Sequence, residues 1–424
     1  MVRKRVETAR TEEKQWRFKK TLVAAAIGAL SISAYAADVN VYGVIDYGMV
    51  YNHTKYEATD SDSIKEDSFT MDSGVNSATR FGLRGSEDLG NGLKVGFKLE
   101  NGFSSDSGKL GEDRLFGREA TVNVSGDFGT VYMGRLGTLV SDTGSVGFYG
   151  AMASAFGSGW SDNIAGHTKV MAAYTSRLDN VIAYVSPTFA GTTVYAQYAM
   201  GGDDGGDENK TNTDRYAALG AKWAGGPFEV GALVDWTNKS NAELKIGTTT
   251  LGSNDYTIED AYTFNLAGSY DCGFAKTFLA VQYFKDASDA AGILGTTMDL
   301  VKISGFTDDD YDAVRRVFSF DGFGVHLSTQ FDALGGTWKA GIGYMDGEAN
   351  VNSTYAEVPS FEAKPDLKAY TASVGYEYAL SKRTTLYTGM GYVQREVEFT
   401  ETNSTSTKYE GKAYDFVAGL VHRF

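Results

Sequence analysis

The tightest constraint on this chain is a side-chain period of two that returns along its length. From Gly92 to Phe103, Leu93, Val95, Phe97 and Leu99 fall on one side of an extended backbone, and Lys94, Gly96, Lys98 and Glu100 fall on the other. Between Leu367 and Leu380, Tyr370, Ala372, Val374, Tyr376, Tyr378 and Leu380 oppose Thr371, Ser373, Gly375 and Glu377. The final segment repeats the pattern, with Tyr414, Phe416, Ala418, Leu420, His422 and Phe424 on a common face. A helix turns every 3.6 residues and would scatter these apolar positions around its axis. The chain is therefore all-β, and its 51 Gly, 26 Tyr and 24 Phe in 424 residues suit many strands joined by tight turns.

Period two is shared by a soluble sandwich, which buries its apolar face between sheets, and a membrane barrel, which turns that face to lipid. Connection lengths separate them. Sixteen candidate strands begin near Val39, Asn76, Leu93, Arg114, Phe128, Ser176, Thr192, Thr213, Phe228, Ala261, Phe274, Arg316, Gly336, Leu367, Thr384 and Tyr409. Short connections such as SGDFG, SPTFAG, AGGP, DCG and DALGG alternate with long ones, including Asn52 to Gly74, Leu136 to Thr175, Asn238 to Thr257 and Ala287 to Val314. Short turns at one end and long loops at the other describe an up-and-down meander, and an even strand number returns both termini to the short-turn end. In hydrocarbon such a sheet must close, because unpaired backbone groups at an edge have no water to bond. The expectation is a 16-stranded antiparallel transmembrane β-barrel, with about 9 to 11 residues of each strand in the membrane.

The N-terminus fits an exported protein. Arg17, Lys19 and Lys20 precede an apolar run that ends at Ala34-Tyr35-Ala36, so residues 1–36 read as a signal peptide with an unusually long leading segment, and 37–424 as the barrel. The run is shorter than the roughly 20 residues a spanning helix needs. Residues 1–36 hold eight Lys/Arg and three Asp/Glu of the chain's 39 and 54, which leaves 31 against 51, a mature net charge of -20. An acidic chain repels phosphate backbones, so nucleic-acid binding is excluded. One Cys rules out an internal disulfide or a cysteine-based zinc cluster, and four scattered His give no metal or cofactor site.

Sixteen strands enclose a lumen too wide for side chains to fill. Leu136 to Thr175 is the longest Gly-rich connection, and Phe148, Met152, Phe156 and Trp160 give it residues that can pack. We expect it to fold inward and narrow the lumen.

The segments VNVYGVIDYGMVY, SATRFGLRGSEDLGNGLKVGFKLENGF, REATVNVSGDFGTVYMGR, RLDNVIAYVSPTFAG, YALSKRTTLYTGMGYV and AGLVHRF, in that order, resemble the general diffusion porins of Gram-negative bacteria, in particular the neisserial and β-proteobacterial branch. The resemblance spans Val39 to Phe424. It implies a homotrimer in the outer membrane, in contact with lipopolysaccharide, that passes ions and small hydrophilic solutes. It also implies that the terminal Phe424 is read by the outer-membrane assembly machinery, and that basic residues at Arg80, Arg118 and Arg177 face the third loop.

Parity puts Arg80 and Arg84 on the lumenal face opposite Phe81 and Leu83, with Lys94 and Lys98 on the next strand. Arg118 shares parity with Ala120, Val122 and Val124, so a lumenal position requires a bulge or a place above the membrane. Arg135 adjoins the long loop and is expected to brace its root, and Asp142 and Asp162 are the candidate acidic partners on the loop. Opposed charges across a narrow aqueous passage bias ion flow, and the charge at the constriction outweighs distant acidic loops such as EATDSDSIKED, GDDGGDENK and TDDDYDA. A mild anion preference follows. Two other readings stand beside it: a channel selective for sugars or organic acids, and a barrel enzyme built on His326 and Ser328, which share a face but have no third orienting group. His53 and His167 are read as loop residues, His422 as part of the last strand, and Cys272 as a free thiol in a short turn.

Overall fold

The computed structural model describes residues 38–59, 63–157, 159–201, 213–240, 244–246, 249–251, 258–292, 318–351, 365–400 and 406–424. The expected signal peptide and the acidic runs GDDGGDENK and TDDDYDA lie outside the described residues.

The strands are β1 (Asn40–Ala58), β2 (Ile64–Ser73), β3 (Arg80–Gly90), β4 (Leu93–Gly102), β5 (Glu119–Gly126), β6 (Gly129–Gly137), β7 (Arg177–Val185), β8 (Thr192–Ala199), β9 (Arg215–Gly225) and β10 (Phe228–Asn238). A small separate hairpin, β11 (Leu244–Ile246) with β12 (Thr249–Leu251), follows. The remainder are β13 (Ala261–Asp271), β14 (Ala275–Ala287), β15 (Phe318–Ala333), β16 (Gly336–Val351), β17 (Asp366–Ala379), β18 (Thr384–Thr400) and β19 (Ser406–Arg423). Each pairs antiparallel with its neighbour, and β19 returns to β1 from Val44↔Arg423 to Ala58↔Tyr409. On its other edge β1 receives β2 over Tyr47–Tyr56 and β3 over Asn40–Val44, so β2 and β3 are two parts of one strand position. The result is a closed 16-stranded antiparallel barrel. Among the described residues no helix is long and apolar enough to cross a membrane.

The break between β2 and β3 is held by Asp46, whose carboxylate accepts bonds from Asn76 N (2.6 Å), Ser77 N (2.5 Å) and the Tyr387 hydroxyl (2.7 Å). The interval Asn52 to Gly74, expected as a loop, is thus mostly strand, and His53 sits on β1 with its Nδ1 2.8 Å from Asp67. IKEDSFTMDS has a short apolar face, Phe69 and Met71, and backbone pairing to β1 sets these two beside Tyr51 and Met49 on the outer side. The strand expected from Arg114 begins at Glu119: the turn Gly111–Asp113, with Glu112 and Asp113 at φ 55° and 49°, keeps residues 114–118 out of the ladder.

The faces are inverted relative to a soluble protein. On β13, Tyr262, Phe264 and Leu266 are exposed while Thr263, Asn265, Ala267 and Ser269 are buried. β19 does the same, with Phe416 and Leu420 out and Asp415, Val417 and Val421 in. Large apolar side chains outside and small or polar ones inside are what a wall between lipid and water requires. Turns at the short end are tight. Asn91-Gly92 and Leu334-Gly335 place both central residues at positive φ, the geometry that matches strand twist in a two-residue hairpin.

Candidate functional site

Register builds a charged patch on the enclosed face of β3–β5. Pairing sets Arg84 beside Lys98, Asp88 beside Lys94, and Gly82 beside Glu100, with Glu119 across from Glu100. Two carboxylates directly opposed would repel, and Lys98 lies between them, its Nζ 2.8 Å from Glu119 and 3.7 Å from Glu100. Glu100 also takes Arg118 Nε at 2.7 Å, Arg80 Nε at 3.9 Å and the Tyr42 hydroxyl at 2.8 Å. Arg84 stands over the Tyr42 ring at 5.2 Å and, like Lys94, is exposed. Arg80, Arg84, Lys98 and Arg118 against Glu100 and Glu119 leave two positive charges on this patch.

Arg118 reaches the patch because it precedes β5, so the alternation that turns Ala120 outward does not bind it. Its backbone N–H bonds Glu100 O at 3.2 Å and its side chain follows the same direction. Beside it, Arg135 on β6 bonds Glu112 and Asp179, each at 2.7 Å, and Arg177 bonds Glu112 at 2.9 Å and the Arg118 carbonyl at 3.1 Å. Arg114 pairs with Asp179. This second network ties the 103–118 connection to the foot of β7, close to both ends of the long loop.

Residues 138–175 pack on the face of the wall opposite to the exposed apolar one. Leu139 N bonds Gln197 on β8 (3.0 Å), the Tyr149 hydroxyl bonds Val281 O on β14 (3.1 Å), and Ala155 N bonds Ser328 on β15 (2.9 Å). Ser161 and Asn163 Nδ2 bond Asp415 on β19, each at 3.1 Å, and Ala172 N bonds Gln282 on β14 at 2.7 Å. All four anticipated packing residues are buried: Phe148 stacks on Tyr195 at 4.6 Å, Met152 meets Gly231, and Trp160 sits edge-on to Phe156 and Tyr387 at 5.8 and 5.6 Å. The loop meets the charged patch where Ser145 Oγ donates to Glu119 at 2.6 Å.

Arg80, Arg84, Lys98 and Arg118 are therefore brought together, Lys94 lies along the same face, and Arg135 and Arg177 form the adjoining network. Asp142 lies in the loop beside Gly150, and Asp162 opens the short helix Asp162–Ala165, its side chain outside the described residues. Glu100, Glu119, Glu112 and Asp179 ion-pair with these basic residues. Parity could have nominated Glu119, which alternates with Ala120; Glu112 and Asp179 meet their arginines only through tertiary closure. Phe424 lies at the barrel's short end with its backbone bonded both ways to Gly43 at 3.1 Å. His326 and Ser328 each bond the loop, His326 through Ser154 at 3.2 Å, and not one another.

Residues 21–397 match the family model described as Gram-negative porin. An outer membrane porin protein of Bordetella pertussis is 30% identical over 96% of this chain and the whole of its own length, and outer membrane porin protein 32 of Delftia acidovorans is 27% identical over 89% of this chain and 90% of its own. Among solved structures, an anion-selective porin from Comamonas acidovorans superposes with a TM-score of 0.59 at 21% identity over 92% of this chain and 100% of that one. OmpT of Vibrio cholerae does so at 0.56, 17%, 93% and 99%. These likenesses agree with a closed barrel whose outer band is apolar and whose inner face is polar, and the chain belongs to the Gram-negative porin family, as an outer-membrane channel for passive diffusion of small hydrophilic solutes.

Proposed function

We propose that residues 138–175 form the constriction of this channel, facing the basic patch of β3–β5, and that the passage mildly prefers anions. The observation that carries this reading is the pairing inventory of the patch: three cations, Arg80, Lys98 and Arg118, share two carboxylates, and a fourth, Arg84, keeps its guanidinium exposed beside them. Fixed charge acts most strongly where the passage is narrow and screening water is scarce. The similar Comamonas acidovorans structure is described as anion-selective, which supports the same sign. Export through residues 1–36, assembly through Phe424, contact with lipopolysaccharide and a homotrimeric state belong to this reading. A catalytic role for His326 and Ser328 does not, since both side chains are occupied in seating the loop.

The test is a planar bilayer under a salt gradient, recording single-channel steps and reversal potential for wild type and Arg80→Ala. Steps in threes with an anion-signed potential that weakens in the variant are expected. A cation-signed potential indifferent to Arg80→Ala would remove the selectivity assignment.

A further inference from the structure

The loop meets β15–β17 through two buried histidines. His167, in the single turn His167–Lys169, is 2% exposed; His326, on β15, is fully buried; their ring centroids are 6.0 Å apart. His167 Nδ1 donates to the Ala165 carbonyl at 3.3 Å, which fixes the proton there and leaves Nε2 bare. His326 Nε2 shares a bond with Ser154 Oγ, which also accepts from Phe156 N, both at 3.2 Å. Among the described residues, His167 Nε2 and His326 Nδ1 have no hydrogen-bond partner.

The wall residues in register with the pair are uncharged. At the height of His326 the pairing row runs Ala280 on β14, His326, Gly343 on β16, Thr371 on β17 and Val393 on β18. One step away on the same face stand Phe278 and Gln282 on β14, Gly324 and Ser328 on β15, Gly341 and Met345 on β16, Ala369 and Ser373 on β17, and Gly391 and Arg395 on β18, the arginine donating to the Ala291 carbonyl. From the loop come Gly166, Thr168 and Val170, with Lys169 the adjacent charge and Asp162 at the start of the short helix that precedes the turn; Lys339 on β16, further along, is paired with Glu377 of β17 at 3.1 Å. Among the described residues no carboxylate hydrogen-bonds or ion-pairs with either ring.

We propose that His167 and His326 form an acid-operated latch: neutral, they let residues 154–173 seat on β15–β17; protonated, they drive that segment off the wall into the passage and close it. This rests on the reading of residues 138–175 as the constriction. Burial without a partner for Nε2 pushes His167 down to about 4, whereas the same ring in water takes its proton near 6.5. Between those values the released state binds more protons than the seated one, so seating weakens as pH falls from about 6.5 to about 4. Integrated over that window, the released-to-seated ratio rises roughly a hundredfold from His167 alone. A second cation on His326, 6.0 Å from the first, adds to it.

The experiment is single-channel recording in a planar bilayer between pH 7 and pH 4, with wild type, His167→Asn, His326→Gln and the double variant, each checked for a folded barrel by its heat-modifiable gel migration. Wild type is expected to show reversible closures whose occupancy climbs roughly a hundredfold over the range. The double variant, which keeps polar side chains that cannot charge, should stay within about twofold, and each single variant should fall between. A wild type without acid closures, or any folded variant that closes as wild type does, overturns the latch. The conductance of Trp160→Ala at pH 7 reports on the constriction separately, so failure of the latch and failure of the constriction give different records.

Discussion

On β3–β5 the enclosed face carries Arg80, Arg84, Lys94, Lys98 and Glu100, whereas on β15–β18 the same face carries Gly324, Gly343, Gly375, Gly389 and Gly391. The outer faces of the two stretches are alike: Phe81 and Val122 on one, Leu327, Ile342 and Val374 on the other are all exposed. Lipid therefore imposes one pattern on both, and the inner face is free to differ. Where it is glycine, loop backbone approaches to contact distance: a Cβ at Gly324 would overlap the Val170 carbonyl, one at Gly391 the Asn163 carbonyl, and those at Gly375 and Gly389 the Trp160 ring. Where it is charged, the ions pair with one another and hold the surface hydrated. The glycine-faced stretch receives loop backbone at contact distance, and the charged stretch keeps its side chains paired with one another.

The seat breaks most completely at Trp160. Its ring fills the space left by Gly375 and Gly389 and touches Phe156 and Tyr387. Trp160→Ala should cost the seated loop about 3–5 kcal/mol. At about 1.4 kcal/mol per decade, trypsin cleavage at Lys169 should accelerate at least a hundredfold while the barrel keeps its heat-modifiable migration. An unchanged rate would mean that the loop is held elsewhere. A matched glycine pair sharpens the contrast. Gly324→Ala forces a methyl against backbone and should lose about 1–3 kcal/mol of seating. Gly96→Ala, whose Cβ would meet only the movable amide end of Asn123 at 2.9 Å, should cleave within about threefold of wild type, an effect under 1 kcal/mol. Equal cleavage rates for the two alanines would deny that the halves of the wall differ.

Much of this was legible in the sequence, and the limits have physical causes. Strands that face lipid announce themselves, because every second residue must be apolar, and ten-odd such residues set Leu93, Thr192, Phe228, Ala261, Gly336 and Thr384 as strand starts that the structure repeats. β2 stayed hidden because IKEDSFTMDS offers only Phe69 and Met71 as alternating apolar residues, too few to read as a face, and its pairing to β1 supplies the rest. Parity left Arg118 dependent on a bulge or a place outside the membrane span, and it lies just before β5, where alternation no longer governs it. The loop's aromatics were legible as packing residues; their seats were not, since a glycine in a strand says that something comes close without saying what. Nor could spacing link Arg177 to Glu112, 65 residues away.

Two smaller substitutions probe the charged half alone, and they should move ion preference in opposite directions. Glu119 is fully buried and accepts from Lys98, Thr121 and Ser145. Glu119→Gln keeps the shape, removes one negative charge and weakens three charge-assisted bonds, a loss of about 1–3 kcal/mol seen as a lower urea midpoint in detergent, with a reversal potential further toward anions. Arg84→Ala removes an exposed cation held, among the described residues, over the Tyr42 ring, so the urea midpoint should not move while the reversal potential shifts toward cations. The two changes differ by one unit of charge each from wild type and lie on the same patch, so their potentials should bracket the wild-type value. If both shift the same way, local structure and not fixed charge governs passage past β3–β5.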